Sequence, residues 1–526
     1  MNAYDVIIIG GGHNGLTTAA YLAKAGRKIL VLERRSLLGG AAATEELFPD
    51  FHFNTGSSHA GLLLPQVVDD LQLQRHGLEF LDSPVAAYAP QPDGRALTLW
   101  RDSNQNPVEI AQFSQNDAEA YPQFLRLVNK LTRVLRNILP LTPPNPKAAS
   151  LSDLFPWLRP ALQAKGLGDE DLMEFMRIIP MTTKELLDEW FESDALKGLL
   201  GLPSVAGSMQ GPQASGTAFM LLYQQLGVSN AGLQSSRFVK GGVGQVSAAL
   251  AKAAQAHSAE IRIDVPVAEI IIEDGQAVGI RLEDGEVIKA KAIVSNASPR
   301  HTFFELASPS HLPVKIMRRV RNIRYRGSTA KVLLALNDLP LFNSAPPSLE
   351  HLSGHIVIAS SLDLIERAYD DAKYGRISQS PVMDITIPSI LDDTLSPAGK
   401  HIMEITFRYA PYNLSTNNWD KQKDELGKLA IDTLAAYAPD IKDLILHQYV
   451  ITPQDYESDY GQPEGSIFHG QMGLDQLLFM RPIAGYAQYR SPIHNLYLCG
   501  AGTHPGGGLT SAPGFNAARE ILRKRK

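Results

Sequence analysis

Residues 6–15 read VIIIGGGHNG, a short apolar run, mostly β-branched, that leads directly into a glycine-rich turn. Such a run is typical of a strand buried on both faces of a parallel sheet. Residues 16–25 then predict an alanine-rich helix, Gly26 fits a left-handed cap after it, and residues 29–32 predict a second buried strand. The order β-α-β, with a glycine turn after the first strand, predicts a Rossmann-like α/β domain.

The glycine turn has the features of a dinucleotide-binding site. Gly10 permits the tight turn, Gly12 lets the backbone approach a pyrophosphate, and Gly15 lets the helix pack closely on the strand. His13 and Asn14 lie between them at the amino terminus of the helix, where free N–H groups and positive potential favour phosphate. A purely structural glycine turn is the alternative, and the flanking strand, helix and acid argue against it.

The acid is Glu33, which ends the second predicted strand. Its carboxylate would accept hydrogen bonds from ribose hydroxyls and would repel a 2′-phosphate. Residues 34–44 follow as RRSLLGGAAAT, in which the paired Gly39 and Gly40 allow close backbone approach and Arg34 could offset phosphate charge. This combination resembles FAD-binding oxidoreductases, although an ordinary glycine turn with solvated arginines is the alternative.

A second glycine-rich loop lies near the carboxyl terminus. Residues 495–499 predict a strand that enters residues 500–508, GAGTHPGGG, and residues 511–523 predict a helix with Ser511 near its cap. The positive amino terminus of that helix would stabilise an anionic reduced flavin, which makes hydride acceptance easier.

The rest of the chain predicts two discontinuous domains. The FAD-binding domain is assigned to residues 1–84, 236–305 and 481–526, and its middle part has a glycine loop, a helix and short strands over residues 240–294. Residues 85–235 and 306–480 predict an inserted mixed α+β substrate domain, an antiparallel sheet with helices, around a proline-rich loop at 139–146. Its helices are predicted over residues 172–179 and 184–200, and its strands over residues 331–336, 355–359, 382–387 and 402–407.

Composition excludes several classes of function. Asp and Glu total 55 against 49 for Lys and Arg, a net charge of -6, so the chain has no global basic field for nucleic acid. Its single cysteine, Cys499, excludes a disulfide, a dithiol pair and a four-cysteine zinc site, and no metal site is predicted. The start MNAYD shows no signal peptide and no long apolar run occurs, so we expect a cytoplasmic protein that could still contact a membrane peripherally.

The motifs together resemble the phytoene desaturase superfamily of FAD-dependent oxidoreductases over essentially the whole chain. Besides the glycine loops, the resemblance is carried by residues 186–191, LLDEWF, and residues 474–482, LDQLLFMRP. Within the superfamily the chain is most similar to bacterial desaturase-type carotene ketolases and their animal relatives. The resemblance implies non-covalent FAD, a substrate domain built on the flavin domain, and apolar, polyene-like substrates delivered from a membrane.

The motifs and the resemblance give one set of site residues. The FAD-binding candidates are Gly10, Gly12, His13, Asn14, Gly15, Glu33, Arg34, Gly39, Gly40, Ala41, Ala42, Ser57, Ser58, Val267, Gly500, Ala501, Gly502, Thr503, Leu509 and Thr510. Val267 matches a position that lines the adenine in similar proteins, and plain core is its alternative. His504 is the catalytic candidate, and a structural histidine that bonds the loop backbone is its favoured alternative. His59 is the second candidate. Arg481 and Asp475 line the site or form a structural ion pair.

The leading functional hypothesis is an FAD enzyme that abstracts hydride from a long apolar, carotenoid-like substrate, as a desaturase, isomerase or ketolase. A flavin amine oxidase is the second hypothesis, although Ala41 stands where many of those enzymes carry arginine. An FAD-stabilised binding or regulatory protein is the third. The first predicts an apolar passage to the flavin, few charged groups near it, and an opening onto exposed Leu, Phe or Met.

Overall fold

The structure is a computed structural model that describes residues 4–145, 151–227, 237–344, 348–416 and 418–523, with the backbone alone at 151 and 152. The start MNA, the last residue of the loop predicted at 139–146, and the domain limits placed at residues 1, 235, 236 and 526 lie outside the described residues. Within the described residues, no helix is long and apolar enough to cross a bilayer.

The strands come in groups that are separated by helices. They are β1 (Tyr4–Ile9), β2 (Ile29–Leu32), β3 (Thr44–Phe48), β4 (Phe51–Asn54), β5 (Phe80–Asp82), β6 (Val85–Pro90), β7 (Ala96–Trp100), β8 (Arg237–Val239), β9 (Glu260–Arg262), β10 (Val267–Glu273), β11 (Gln276–Leu282), β12 (Val287–Ser295), β13 (Thr329–Leu336), β14 (His355–Ile358), β15 (Met383–Thr386), β16 (His401–Arg408), β17 (Ile445–Ile451) and β18 (Leu496–Leu498).

The α-helices differ widely in length. They are α1 (His13–Lys24), α2 (Pro65–Asp70), α3 (Asn106–Ala111), α4 (Gln115–Ile138), α5 (Leu151–Leu154), α6 (Leu158–Lys165), α7 (Asp169–Ile178), α8 (Thr183–Trp190), α9 (Asp194–Gly201), α10 (Thr217–Gln224), α11 (Gly244–Gln255), α12 (Pro299–His301), α13 (Val314–Arg321), α14 (Leu362–Lys373), α15 (Trp419–Ala435), α16 (Ile441–Leu444), α17 (Pro453–Ser458) and α18 (Ala512–Leu522).

The first sheet confirms the Rossmann-like prediction. Its strand order is β10-β11-β12-β1-β2-β9 with β18 beside β12, and β9, β2, β1, β12 and β18 run parallel. Along β1, Val6 and Ile8 pack into the core that holds α1, α11 and α18, while Ile7 and Ile9 pack into the core on the opposite face. The all-apolar strand is therefore explained by burial on both faces.

The second sheet confirms the inserted, mostly antiparallel domain. Its strand order is β17-β13-β16-β15-β14-β6-β7, and only the β14–β6 pair is parallel among the described pairs. The four strands predicted after residue 306 are β13 to β16. They lie next to β6 and β7, which come from much earlier in the chain.

Two features differ from the sequence prediction. The helix predicted over residues 184–200 is two helices, α8 and α9. The backbone N–H groups of Glu192 and Ser193 each donate over 2.8 Å to the Asp117 carboxylate, and the Ser193 hydroxyl caps α9. In addition, α13 lies in the range predicted for the substrate domain, yet its Ile316 and Val320 pack in the core of the first sheet.

Candidate active site

A cleft lies at the carboxyl edge of the first sheet, where β1, β2 and β12 end. Ligands of open α/β sheets bind at this edge. Many of the predicted FAD-binding residues line the cleft. They are Gly10, Gly12, His13, Asn14, Glu33, Arg34, Gly39, Gly40, Ala41, Val267 and Ala501.

The glycine turn shapes the floor of the cleft. A Cβ atom at Gly15 would lie 2.2 Å from the Gly10 carbonyl oxygen, so only glycine lets α1 start this close to β1. Gly12 is the N-cap of α1, and no side chain caps this helix. The first N–H groups of α1 are therefore left for a ligand, and the helix dipole favours an anion there.

The paired glycines form the next wall. The Gly39 N–H donates to the Gly11 carbonyl over 2.9 Å, and Gly39 has φ +120°, a conformation that favours glycine. The Ala41 carbonyl accepts from the Ser57 N–H over 2.8 Å. These bonds hold the loop that leads away from the dinucleotide cleft. Ala42, Ser57 and Ser58 lie beyond it and line a second cavity.

Glu33 is held at the cleft by two backbone amides. Its carboxylate accepts from the Gly11 N–H over 2.7 Å and from the Arg35 N–H over 2.9 Å. Arg34 also lines the cleft, but its guanidinium donates to the carbonyls of Ser458 and Asp459. Arg34 thus joins the cleft to the end of α17, and its predicted role in offsetting phosphate charge stays a prediction.

Glu33→Ala is expected to weaken FAD binding about ten- to a hundredfold while the chain stays folded. The loss of a charged acceptor typically removes about 1.5–3 kcal/mol. Equilibrium titration of the apoprotein with FAD measures the dissociation constant. Glu33→Gln keeps one acceptor oxygen, so its dissociation constant should lie between those of wild type and Glu33→Ala. A dissociation constant unchanged in Glu33→Ala would place the ribose contact elsewhere.

The carboxyl-terminal loop closes the site from the other side. Ala501 lines both cavities and Leu509 lines the second. The Thr18 hydroxyl donates to the Gly514 carbonyl over 3.0 Å, and a Cβ at Gly514 would lie 2.2 Å from the Asn14 carbonyl oxygen. The amino termini of α1 and α18 are thus packed together, and both positive ends lie at the site.

Five predicted FAD-binding residues line neither cavity: Gly15, Gly500, Gly502, Thr503 and Thr510. They support the loops instead. A Cβ at Gly500 would lie 2.5 Å from the Asn296 carbonyl oxygen, and the Thr503 hydroxyl donates to the Gly500 carbonyl over 2.8 Å. The Thr510 hydroxyl accepts from the Ala512 N–H at the start of α18.

The second cavity lies between the glycine loops and the second sheet. His13, Ala41, Ile467 and Ala501 line it together with the dinucleotide cleft, so the two spaces share a wall. Its apolar lining includes Leu62, Pro203, Ala206, Ile467, Phe468 and Leu509. This is the region in which a substrate can approach the end of a dinucleotide bound in the cleft.

A buried ion pair lies at the sheet side of this cavity. Lys331 and Glu404 have side chains 2% and 0% exposed, and their charged atoms are 3.5 Å apart. Lys331 also donates to the Asn54 carbonyl and, over 2.9 Å, to the Ser58 hydroxyl. Burial lowers the pKa of Lys331, although Glu404 opposes that shift. Glu404 accepts from the Asn54 N–H, so the pair fixes β4 against the second sheet.

A second charged group lies on the same wall. The His355 Nδ1 and Asp384 Oδ1 atoms are 2.7 Å apart, and an Arg408 nitrogen is 3.4 Å from Asp384 Oδ2. Burial alone would raise the pKa of Asp384, but His355 and Arg408 outweigh it and lower that pKa to about 2. The ring of His59 lies edge-on to that of His355, with centroids 5.2 Å apart.

The expectation of few charged groups near the site is therefore wrong. Lys331, Asp384 and Arg408 line the cavity, and Glu404 lies beneath it. Each charge has an oppositely charged partner or several hydrogen bonds, which offset the desolvation that would exclude it alone. Sequence reasoning missed these residues. Lys331 and Asp384 are each the only charged residue of their strand, and Glu404 and Arg408 interrupt the apolar pattern of β16, so these patterns could have singled them out.

His504 is not brought to either cavity. It is fully buried, and its ring is placed against the backbone carbonyls of Ile138, Leu141 and Leu478. His504 therefore has the position of a structural residue, and the structure gives its predicted catalytic role no geometric support. His59 does line the second cavity.

The predicted Arg481–Asp475 ion pair is not formed. Arg481 is buried, and its guanidinium donates to several backbone carbonyls, among them those of Ala501 over 2.9 Å and Gly470 over 3.0 Å. Asp475 pairs with Arg324. Arg481 thus fastens the carboxyl-terminal loop to the segment before it, and it lines neither cavity.

The buried histidines predict acid sensitivity. Burial lowers the pKa of His59 to about 3 and that of His504 to about 4, from an ordinary value of 6.5. Between those values the unfolded chain binds more protons, so stability falls as the pH drops from about 6.5 towards 4, by roughly 1.4 kcal/mol per pH unit for each histidine. Chemical unfolding at several pH values should show that the free energy of unfolding of His504→Gln falls less steeply with decreasing pH than that of wild type. The exposed His257→Gln control should match wild type, and equal slopes in all three proteins would contradict the prediction.

The cleft fits a bound dinucleotide. Asn14 Oδ1 and His469 Nδ1 are buried polar atoms at its wall that have no hydrogen-bond partner within the described structure. Buried polar atoms are normally satisfied, so these point to a polar ligand. Together with the uncapped α1 and the Glu33 carboxylate, they would hold phosphates and a ribose.

The chain is similar to known proteins over nearly its full length. It is 37% identical to rat (Rattus norvegicus) pyridine nucleotide-disulfide oxidoreductase domain-containing protein 2, over 99% of this chain and 94% of the relative. It is 28% identical to one of the subunits of the limonene dehydrogenase of Castellaniella defragrans, over 99% of this chain and 94% of the relative. It is 24% identical to the 4,4'-diapophytoene desaturase of a Methylomonas species, over 97% of this chain and 93% of the relative.

Solved structures agree on the fold. A Methanosarcina mazei oxidoreductase matches with a TM-score of 0.64 at 15% identity, covering 99% of this chain and 100% of that one. A putrescine oxidase variant matches with a TM-score of 0.60 at 16% identity, covering 98% and 97%. The model of the family described as flavin containing amine oxidoreductase matches residues 15–522. The chain therefore belongs to the flavin-containing amine oxidoreductase family, within which it resembles the phytoene desaturases, and it is an oxidoreductase whose cofactor is FAD.

Proposed function

We propose that this enzyme dehydrogenates an apolar substrate, taking hydride from an activated C–H bond. The observation that carries the proposal is the wall shared by the dinucleotide cleft and the second cavity, at His13, Ala41, Ile467 and Ala501. FAD, when bound, supplies the hydride acceptor. The chain supplies a space beside it that has one apolar wall and one polar wall and in which a substrate can be oriented.

The residues of the chain orient the substrate rather than act as strong bases. The His59 Nδ1 accepts from the Gly61 N–H over 3.2 Å, and burial keeps the ring neutral at pH 7. A neutral histidine that accepts at Nδ1 carries its proton on Nε2. His59 is therefore a hydrogen-bond donor to the cavity. It is not the base that accepts the proton lost from the substrate together with the hydride.

A carotenoid-like substrate is one member of the proposed class. The apolar wall, which includes Leu62, Phe468 and Leu509, matches a hydrocarbon chain. The charged wall of the second sheet is matched less well by an unsubstituted polyene. An amine oxidase is the second candidate, favoured by the similarity of the fold to that of putrescine oxidase.

Two measurements separate the candidates. Extraction of the purified protein with organic solvent, followed by mass spectrometry, should identify an apolar occupant. Anaerobic mixing of the holoprotein with that compound should bleach the flavin absorbance, while a panel of amines should release no hydrogen peroxide in air. Peroxide released with an amine would favour the second candidate. Photoreduced flavin that no compound oxidises or reduces would favour a non-enzymatic role.

NADPH is not expected to reduce the flavin within a normal turnover time. The loop before α11 has two glycines, but a Cβ at Gly242 would lie 2.3 Å from the Thr44 hydroxyl, and Ser247 donates to the Ala42 carbonyl. That loop therefore packs against the β3–β4 hairpin and leaves no room for a second dinucleotide. Stopped-flow mixing under anaerobic conditions measures this, with a quinone as the comparison acceptor. Rapid bleaching by NADPH would contradict this expectation and would show that the nicotinamide dinucleotide binds elsewhere on the protein.

We also propose peripheral contact with a membrane. Phe155 is 74% exposed, and apolar side chains around it are exposed as well: Leu158, Leu162, Met173, Met176, Phe479 and Met480. These residues belong to two segments, 155–176 and 479–480. Phe479 of the second segment contacts Trp157 of the first, with ring centroids 5.6 Å apart. None of these residues lines the second cavity, so the predicted opening of a passage onto this patch stays a prediction. Flotation with neutral and anionic liposomes tests the contact, which Phe155→Glu should weaken.

A further inference from the structure

The wall that the second sheet contributes to the second cavity is polar along three adjacent strands. Thr329 and Lys331 of β13, Thr406 and Arg408 of β16, and Thr386 of β15 line it. The Thr386 hydroxyl is buried, with the residue 2% exposed, and it has no hydrogen-bond partner within the described structure. The Arg408 Nε atom is likewise buried without a partner. Buried polar atoms of this kind are uncommon in folded proteins.

The carboxylates on this wall already have partners. One oxygen of Asp384 faces His355 and the other faces Arg408. One oxygen of Glu404 accepts from the Asn54 N–H and the other from Lys331. Neither carboxylate is therefore an unpaired charge that requires a cationic ligand.

Two of the polar atoms without a partner can donate. Arg408 has an N–H at Nε, which can only donate, and the Thr386 hydroxyl can donate its proton. His59, which also lines the cavity, carries its proton on Nε2 because its Nδ1 accepts from the Gly61 N–H. We call Arg408, Thr386 and His59 the donor cluster.

We propose that the donor cluster binds a carbonyl or carboxylate oxygen of the substrate, which is then an apolar molecule with an oxygen function. This inference rests on the proposed function and narrows its substrate class. A hydrocarbon would leave the Arg408 and Thr386 donors unpaired in a desolvated site, which disfavours its binding. A protonated amine has no acceptor for the Arg408 N–H, and the carboxylates of the wall already have partners. The apolar wall at Leu62 and Phe468 takes the rest of the molecule.

The test uses four ten-carbon probes with the same ring skeleton: limonene, carvone, perillic acid and perillylamine. Each is titrated into the oxidised holoprotein by isothermal calorimetry, which needs no turnover. We expect carvone or perillic acid to bind at least tenfold more tightly than limonene and perillylamine, and the ratio between those two tells a carbonyl site from a carboxylate site. Thr386→Val and Arg408→Leu should each remove about tenfold of that preference. Arg376→Leu, at an exposed position that lines neither cavity, is the control and should keep it.

Two results would overturn the inference. One is limonene or perillylamine binding as tightly as both oxygenated probes. The other is a preference for oxygenated probes that survives both Thr386→Val and Arg408→Leu. Thr386→Val keeps the shape of the side chain and removes no bond seen in the structure, so it tests the site even if Arg408→Leu fails to fold. FAD content and flavin bleaching are measured separately, so failure of the proposed dehydrogenation remains distinguishable from failure of the donor cluster.

Discussion

Gly15→Ala is expected to weaken FAD binding at least about a hundredfold. The added Cβ would lie 2.2 Å from the Gly10 carbonyl oxygen and 3.3 Å from the Asn296 side chain. Backbone at that distance cannot move aside without displacing α1 from β1, and overpacking of this kind costs about 1–3 kcal/mol or more. The displacement moves the α1 amino terminus away from the pyrophosphate position. Equilibrium titration of the variant with FAD measures the loss.

The matched control lies at the other end of the same helix. Gly26 follows α1 with φ +78° and has open space around its Cβ position. Gly26→Ala should therefore lower stability by about 1–2 kcal/mol through backbone strain and leave the FAD dissociation constant unchanged. Gly15→Ala protein that binds FAD as tightly as Gly26→Ala protein would show that close packing of α1 on β1 does not position the cofactor.

Lys331→Met is expected to lower the free energy of unfolding by about 3–5 kcal/mol. The substitution leaves the Glu404 carboxylate buried without its cation, and removal of one partner of a buried pair typically costs this much. It also removes the donor to the Asn54 carbonyl and to Ser58. Urea unfolding of the holoprotein, followed by circular dichroism, measures the change.

A double variant tests whether the unpaired charge of Glu404 causes the loss of stability in Lys331→Met. Lys331→Met combined with Glu404→Gln removes both charges and keeps an oxygen that can accept from the Asn54 N–H. We expect the double variant to recover at least half of the stability lost by Lys331→Met. If the double variant is less stable than Lys331→Met alone, the uncompensated Glu404 charge is not the cause.

The nucleotide half of the site could be predicted from the sequence because its parts are contiguous. The strand, the glycine turn, α1 and Glu33 follow each other within residues 4–33, and each has a local signature of period, turn or cap. The carboxyl-terminal loop also has a local signature, but of its predicted residues only Ala501 and Leu509 line a cavity. Short-range patterns suffice where the chain itself brings the binding groups together.

The substrate half could not be predicted in the same way. Its sheet pairs β6 with β14, so that Ala87 lies beside His355, and no local pattern specifies a contact between residues so far apart. Its polar wall takes single residues from different strands, among them Lys331, Asp384 and Arg408. Along the sequence each is a charged residue next to apolar ones. Only the order of the strands in the sheet shows that these residues lie on the same wall. His504 shows the converse, because a titratable residue in a conspicuous motif is buried against backbone carbonyls.

We propose that the second cavity holds an apolar substrate for dehydrogenation beside the bound FAD. Anaerobic mixing of the holoprotein with the compound extracted from it tests this directly when flavin absorbance and product mass are recorded together. We expect bleaching of one flavin per chain and a product lighter than the substrate by two hydrogen atoms. Flavin that stays oxidised with that compound, or that is bleached only by amines, would contradict it.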